Sequence, residues 1–375
     1  MKRALPLIEH FSALEDYRDT RYVRHSLLSI IGISICAIIC GAEDWYDVED
    51  YAIVKKDWLK SFLDIGDCTP SHDTLERFFG MVNPDKLECC FRNWVKSIGE
   101  LTEGSLVHID GKTLRGSGTS TGTGFVHMVS AWCSSTGLVL GQQKVEEKSN
   151  EITAIPELLE SLLAKGCVVT IDAMGCQTEI AEKIINTGSD YILAVKENQK
   201  FLYQDIEEAF SNDKCINEYM SSEVGHGRIE KRITSVITDI DWICKQENWK
   251  SLNSLIRVIA IRNNKKTGEQ QQSTRYYISS KKGTAEWFSH AIRSHWSIEN
   301  QLHWVLDVAF NEDASKKRRQ NSAQNFSLLN KIALNALKHY EKPGYTKKQK
   351  ISIKRKRKMA GWDNNIALQI ALSIS

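Results

Sequence analysis

Residues 167–196 read CVVTIDAMGCQTEIAEKIINTGSDYILAVK. CVVTID (167–172) is a short apolar run, TEIAEKIINTG (178–188) carries apolar residues at helical spacing, and DYILAVK (190–196) is a second apolar run. Strand, helix and strand in so short a stretch predict a crossover unit whose strands lie parallel. Upstream, SLVHID (105–110), FVHMVSAWCS (125–134) and GLVLGQQKV (137–145) read as three successive strands, the last two joined by the turn Ser135-Thr136-Gly137. A helix is expected from Glu151 to about Lys165. The order β-β-β-α-β-α-β predicts an α/β fold: a mixed sheet with helices packed on it.

Outward from this core the pattern changes twice. Residues 1–100 read as a helical N-terminal domain, with apolar periodicity in SLLSIIGISICAIICG (26–41), around Trp58–Leu63 and from Leu75 to Val95. The 26–41 run has no charge but is shorter than the ~20 residues of a membrane span, so a buried core helix is expected. In TPSHDTLERFF (69–79), Pro70 and Ser71 precede a helix starting near His72 or Asp73, a start signal shared by structural helices and by the recognition helix of a helix-turn-helix. From about 200 to 285 the alternation gives way to a β-rich insertion with strands at 232–240, 255–263 and 275–280. Helix returns from Glu286 to Phe310, with Phe288, Ile292, His295 or Trp296, Leu302, Leu306 and Ala309 at helical spacing.

The 375 residues, 42% hydrophobic and 26% charged, exclude a disordered or fibrous chain. A net charge of +2 is too small to mark a nucleic-acid binder by itself, but the placement is uneven. Lys316-Lys317-Arg318-Arg319 and Lys354-Arg355-Lys356-Arg357-Lys358, the latter in a basic C-terminal segment (341–375), are expected to contact phosphate. Ten cysteines without a Cys-x-x-Cys pair, several of them in apolar runs, read as reduced thiols. With no charged start followed by an apolar stretch in the first twenty residues, a cytoplasmic protein is expected.

Asp110 and Asp172 each end an apolar strand and each follow an isoleucine. One such aspartate is ordinarily a turn former. Two on neighbouring strands would meet at one sheet edge and repel unless a divalent cation lay between them, and oxygen-only ligands favour Mg²⁺ or Mn²⁺ over zinc. Two such ions suit the cutting and joining of phosphodiesters.

HIDGKTLRGS (108–117), TIDAMGCQ (170–177), DYILAVKENQ (190–199), GHGRIEKR (225–232), RSHWSIENQLHWVLDVAFNED (293–313) and KRKRKMAGWD (354–363) together resemble the DDE transposases of bacterial insertion sequences, in particular the H-repeat-associated transposases that accompany Rhs elements. The resemblance covers nearly the whole chain. It implies a ribonuclease H-like catalytic core over residues 101–340, interrupted by the insertion, with Asp110, Asp172 and Glu299 as catalytic, metal-binding carboxylates for two Mg²⁺ or Mn²⁺ ions. It also implies double-stranded DNA as partner, as element ends and as target, and a homodimer on that DNA.

The sequence departs from the Tyr, Arg, Glu, Lys signature of related transposases, which have Arg where His295 stands, Tyr at Ile292 and Lys at Leu306. Here His295, Glu299, His303 and Asp307 recur every four residues and predict a polar helical stripe. His295, His303 and Arg293 are expected to hold phosphate or position Glu299, and Lys112, Arg115 and Lys196 to contact DNA. A zinc or iron site on His295, Glu299 and His303 is the competing metal reading, and it leaves the two aspartates unexplained. His226 and Arg228 read equally well as the start of a glycine-flanked hairpin. A DNA-binding remnant or regulator that does not cut is the competing function.

Overall fold

Among the described residues nine strands form one sheet: β1 (Leu106–Leu114), β2 (Val126–Cys133), β3 (Leu138–Lys144), β4 (Val168–Ile171), β5 (Asp190–Val195), β6 (Asn217–Gly225), β7 (Arg228–Ile237), β8 (Ser254–Asn264) and β9 (Gln270–Ser279). Their order is β3-β2-β1-β4-β5-β9-β8-β7-β6. The computed structural model describes residues 6–99, 101–118, 124–146, 149–162, 164–212, 217–225, 228–243, 246–343 and 351–372.

The first three strands form an antiparallel meander, and β1, β4 and β5 run parallel, as the crossover pattern predicts. The β-rich insertion continues the same sheet. β9 pairs antiparallel with β5, and β8, β7 and β6 follow as a meander. β6, polar and mostly exposed, escapes a reading by apolar pattern because its pairing with β7 alone makes it a strand. Gly225 faces Arg228 at the tip of that hairpin, and His226 lies outside the described residues.

Side chains alternate across the sheet, so His108 and Thr170 face one side while Ile109 and Ile171 face the other. The helices Glu151–Ser161 and Thr178–Asn186 cover the isoleucine side. The long helix that starts at Ala285 covers the other, with His295 against Thr170. β3 is an outer strand, and its backbone is not left free. Asn335 brackets Val139, its Nδ2 donating to the carbonyl and its Oδ1 accepting from the amide, both at 2.9 Å, while Glu88 Oε1 accepts from Gln142 N at 2.9 Å.

Ser26 caps the helix Leu27–Cys40 by accepting from Ser29 N, and Gly41, at φ 122°, ends it in a conformation that side chains disfavour. This helix is buried by protein, against Ser322–His339 and Ile353–Trp362, as its uncharged composition predicts. No single helix among the described residues is long and apolar enough to cross a membrane. Ser71 caps His72–Met81, whose Phe79 stacks on Trp45 at 4.9 Å while Trp45 meets the edge of Phe326 at 4.8 Å. The N-terminal helices and the C-terminal ones thus share one core. The eight cysteines among the described residues are free thiols.

Each basic cluster sends part of its charge inward. Arg357 is 4% exposed and donates to the carbonyls of Ile38 (3.0 Å), Ala42 (2.9 Å) and Ala309, tying three segments together. Lys356 donates to the carbonyls of Leu337 and Tyr340, both at 2.6 Å. Lys317 is buried over the Phe326 ring and donates to Glu43 O at 2.8 Å. Lys316, Arg318, Arg319, Lys354, Arg355 and Lys358 remain exposed.

A buried polar chain joins the sheet to the central helix Ser322–His339. Lys331 donates to Gln142 Oε1 (2.6 Å) and Ser327 Oγ (2.8 Å), Ser327 donates to Glu312 Oε1 (3.0 Å), and Lys112 of β1 donates to Glu312 Oε2 (2.8 Å). Burial would raise the Glu312 carboxyl, but Lys112, Lys331 and these hydrogen bonds outweigh it and hold the group down to about 2, against an ordinary 4.5.

Two outcomes follow. Arg357→Met leaves buried carbonyls unpaired and costs on the order of 3 kcal/mol in denaturant unfolding. Because the Glu312 value is depressed in the fold, its stabilisation is complete above about 4.5 and is lost as pH falls from there toward about 2. Glu312→Gln therefore destabilises the protein at neutral pH by on the order of 3 kcal/mol and flattens the acid limb of the melting temperature against pH.

Candidate active site

β1 and β4 pair in parallel with Ile109 opposite Ile171, so the next residue on each strand is an acid, Asp110 beside Asp172. Neighbouring strands are about 4.8 Å apart, and the register alone brings the two carboxylates together. β4 ends at Ile171, and the chain turns so that Asp172 Oδ1 accepts from Met174 N (3.0 Å) and Gly175 N (3.4 Å). A side chain at Gly175 would strike Ile171 and Ile155, so this turn needs glycine. β1 does not end at Asp110, as the apolar run suggested. It continues to Leu114 because β2 still pairs with it, leaving a notch in the sheet beyond the end of β4.

Burial and then the neighbouring charges of Asp172, Glu151 and Glu299 push Asp110 up to about 7. Burial and Glu151 also raise Asp172, against the turn amides and Lys196. Like charges crowded in a part-buried site are what a bound cation relieves.

Glu299 comes from the long helix, which runs Ala285–Ile298, passes through a single π turn at Glu299–His303 and continues as Trp304–Phe310. The wider turn breaks the expected four-residue stripe, and its members go to different partners. His295 is half-buried at the cavity wall, with Nδ1 2.7 Å from Thr170 Oγ1, and the same hydroxyl lies 2.6 Å from His108 Nδ1, so it donates to one ring and accepts from the other. Burial lowers both rings, to about 4 for His295 and about 3 for His108. His303 is buried, lowered to about 3 by burial and by Lys331 and Lys112, with Nδ1 3.5 Å from Asp110 Oδ2. Glu299 stays exposed at the rim of the cavity. Both histidines thus meet the protein's own side chains, His295 at the cavity wall and His303 beside Asp110, and as placed they do not enclose one metal ion with Glu299.

Lys112 departs from its expected role. Only 12% of its side chain is exposed, and it is enclosed by Asp307, Glu312 at 2.8 Å and Asp313 at 3.6 Å. Burial opposes its charge, but these carboxylates outweigh burial and raise it. Arg115 is 79% exposed, 3.5 Å from Asp313. Arg293 is exposed and 3.5 Å from Glu223. Lys196 is exposed at the end of β5 and borders the cavity.

That cavity, about 310 Å³, is lined by Asp110, Asp172, Lys196, Arg275, Trp296 and Glu299 among others. Arg275 of β9 lies over the Trp296 ring at 5.8 Å. Neither residue was legible in the sequence as part of a site, because only the attachment of β9 to β5 brings the insertion beside the acids. Glu151, at the first turn of its helix, was equally hidden: its carboxylate accepts from His127 Nε2 at 2.6 Å. Among the described residues no three acidic, histidine or cysteine side chains are close enough to enclose a metal ion as they are placed. The chemistry of the donors nonetheless fits a hard divalent cation: oxygens only, two of them raised by burial and by neighbouring acids, and a third acid on the facing helix.

Comparison with known proteins gives the family. Residues 102–336 match the family model described as "Transposase DDE domain", and residues 8–95 match the one described as "DDE_Tnp_1-associated". YncI of Escherichia coli O157:H7 is 43% identical over 360 residues, covering 94% of this chain and 90% of that protein. YhhI of Escherichia coli K12, named as H repeat-associated, is 42% identical over 368 residues, covering 96% of each. Both carry the word transposase in their names. With one family model spanning the sheet and its covering helices, a second spanning the N-terminal helices, and relatives matched almost end to end, the chain belongs to the DDE-domain transposases, alongside the H repeat-associated members.

Proposed function

We propose that this chain is a DNA transposase that cuts the phosphodiester at the ends of its insertion sequence and joins the freed 3′-hydroxyl to target DNA, with Asp110, Asp172 and Glu299 as the carboxylates of the reaction. The observation that carries this reading is the pairing of Ile109 with Ile171, which sets two part-buried aspartates side by side opposite a helix bearing the third acid. The strand order β3-β2-β1-β4-β5, with its antiparallel meander and parallel crossovers, supports a ribonuclease H-like core extended by the β6–β9 insertion.

The three acids would hold two Mg²⁺ or Mn²⁺ ions, which when bound activate the attacking oxygen and steady the leaving one. Lys196 and Arg275 border the cavity, where they can hold backbone phosphates, and Arg115 and Arg293 are exposed to contact DNA farther out. Thr170, His108 and His295 form a neutral hydrogen-bonded support that adds no competing charge. Lys112, locked to Asp307 and Glu312, cannot neutralise the aspartates in place of a cation. Double-stranded DNA is the substrate, the paired ends call for a homodimer on that DNA, and the protein works inside the cell at the nucleoid.

The test is cleavage of a labelled duplex carrying the element's own terminal repeat, with Mg²⁺, Mn²⁺ or chelator. Wild type cuts only with metal, and Glu299→Ala abolishes cutting while DNA binding persists; a wild type that binds but never cuts is the non-cutting remnant instead. Stability gives an independent readout. In chelator Asp110→Asn relieves the repulsion with Asp172 and melts higher than wild type, by on the order of 1–2 kcal/mol, and added Mn²⁺ narrows or reverses the difference by stabilising wild type alone.

A further inference from the structure

A fourth carboxylate lies against β1 at Gly111, just past the end of the β1–β4 pairing. Glu151 begins the helix that follows β3, and only 14% of its side chain is exposed. It reaches the sheet at Gly111, the residue directly after Asp110: a Cβ built there would overlap the Glu151 carboxyl and would come within 2.7 Å of His127 Nε2. The absence of a side chain at 111 is therefore what lets this acid approach β1 directly after Asp110, from the other face of the sheet.

The carboxylate is also oriented. His127 lies opposite Thr113 in the β1–β2 ladder, with Nδ1 2.8 Å from Thr113 Oγ1 and Nε2 2.6 Å from Glu151 Oε1. Because a carboxylate only accepts, Nε2–H donates to Glu151, and the Thr113 hydroxyl holds the ring from its Nδ1 side. A part-buried carboxylate brought toward two others by a glycine, and fixed by a histidine that is itself fixed, costs repulsion that a purely structural helix start would not need. Asn150, which accepts from Ile152 N at 3.0 Å, already caps this helix.

We propose that Glu151 is a fourth ligand of the divalent-cation site, reaching it from the side opposite Glu299, and that His127 is its positioning residue. This rests on the three-acid reading above and deepens it: the cation pair is gripped from both faces of the sheet, by Glu151 through the gap at Gly111 and by Glu299 from the long helix. The cation class is the same hard, oxygen-seeking one.

Mn²⁺ binding to the full chain without DNA tests this, followed by calorimetry and by the Mn²⁺-induced rise in melting temperature. Glu151→Gln keeps the shape and the bond from His127 and is expected to fold; its Mn²⁺ affinity falls by about tenfold or more, and its melting temperature in chelator is not lowered. Gly111→Ala, which pushes the Glu151 carboxyl away, weakens Mn²⁺ binding in the same direction. Unchanged Mn²⁺ binding in Glu151→Gln, with binding lost in Asp110→Asn, would overturn the role of Glu151 and leave the three-acid reading standing. A wild type that binds no Mn²⁺ overturns both.

Discussion

The parallel register of β1 and β4 is the constraint on which the site depends. Apolar residues on both strands, buried on both faces, set Ile109 against Ile171, and a slip of one residue would turn every side chain to the wrong face. The price of that register is two acids forced together at the point where the shorter strand stops. Hydrophobic packing thus imposes an electrostatic arrangement that the aspartates alone would not adopt. The same packing makes it durable, because relief by moving apart would unseat the core of the sheet.

The surrounding cations are deployed so that they do not discharge the acids. Lys112 lies two residues beyond Asp110 yet is held by Asp307, Glu312 and Asp313, and Lys331 completes that chain behind the sheet. Arg357 and Lys317, from the two basic runs, satisfy carbonyls between the N-terminal and C-terminal helices. Buried in this way, positive charge serves as a structural donor, and the protein's exposed basic residues are fewer than its basic runs suggest.

Much of this was legible in the sequence, and what was hidden has common physical causes. Asp110 and Asp172 stand out because apolar β-branched runs lead into them, and the crossover order follows from alternating periodicities. The extension of β1 past Asp110, the exposed strand β6 and the joining of β9 to β5 were hidden, because in each a partner strand supplies what local composition lacks. Glu151, Arg275 and the inward turn of Lys112, Lys317 and Arg357 depend on contacts between residues distant in sequence. No spacing rule encodes such contacts.

The π turn at Glu299–His303 has a further consequence. An α-helix advances about 100° per residue, so one residue accommodated in a widened turn sets the phase of everything after it. Which side chain looks toward Asp110, and which toward Lys112, is therefore decided by a count of residues as much as by their identities. A chain shortened by one position in this turn could keep each of these residue types and still present Asp110 with a different neighbour. In this part of the molecule an insertion or deletion is a change of chemistry, whereas many substitutions on the outer face of the same helix are only changes of surface.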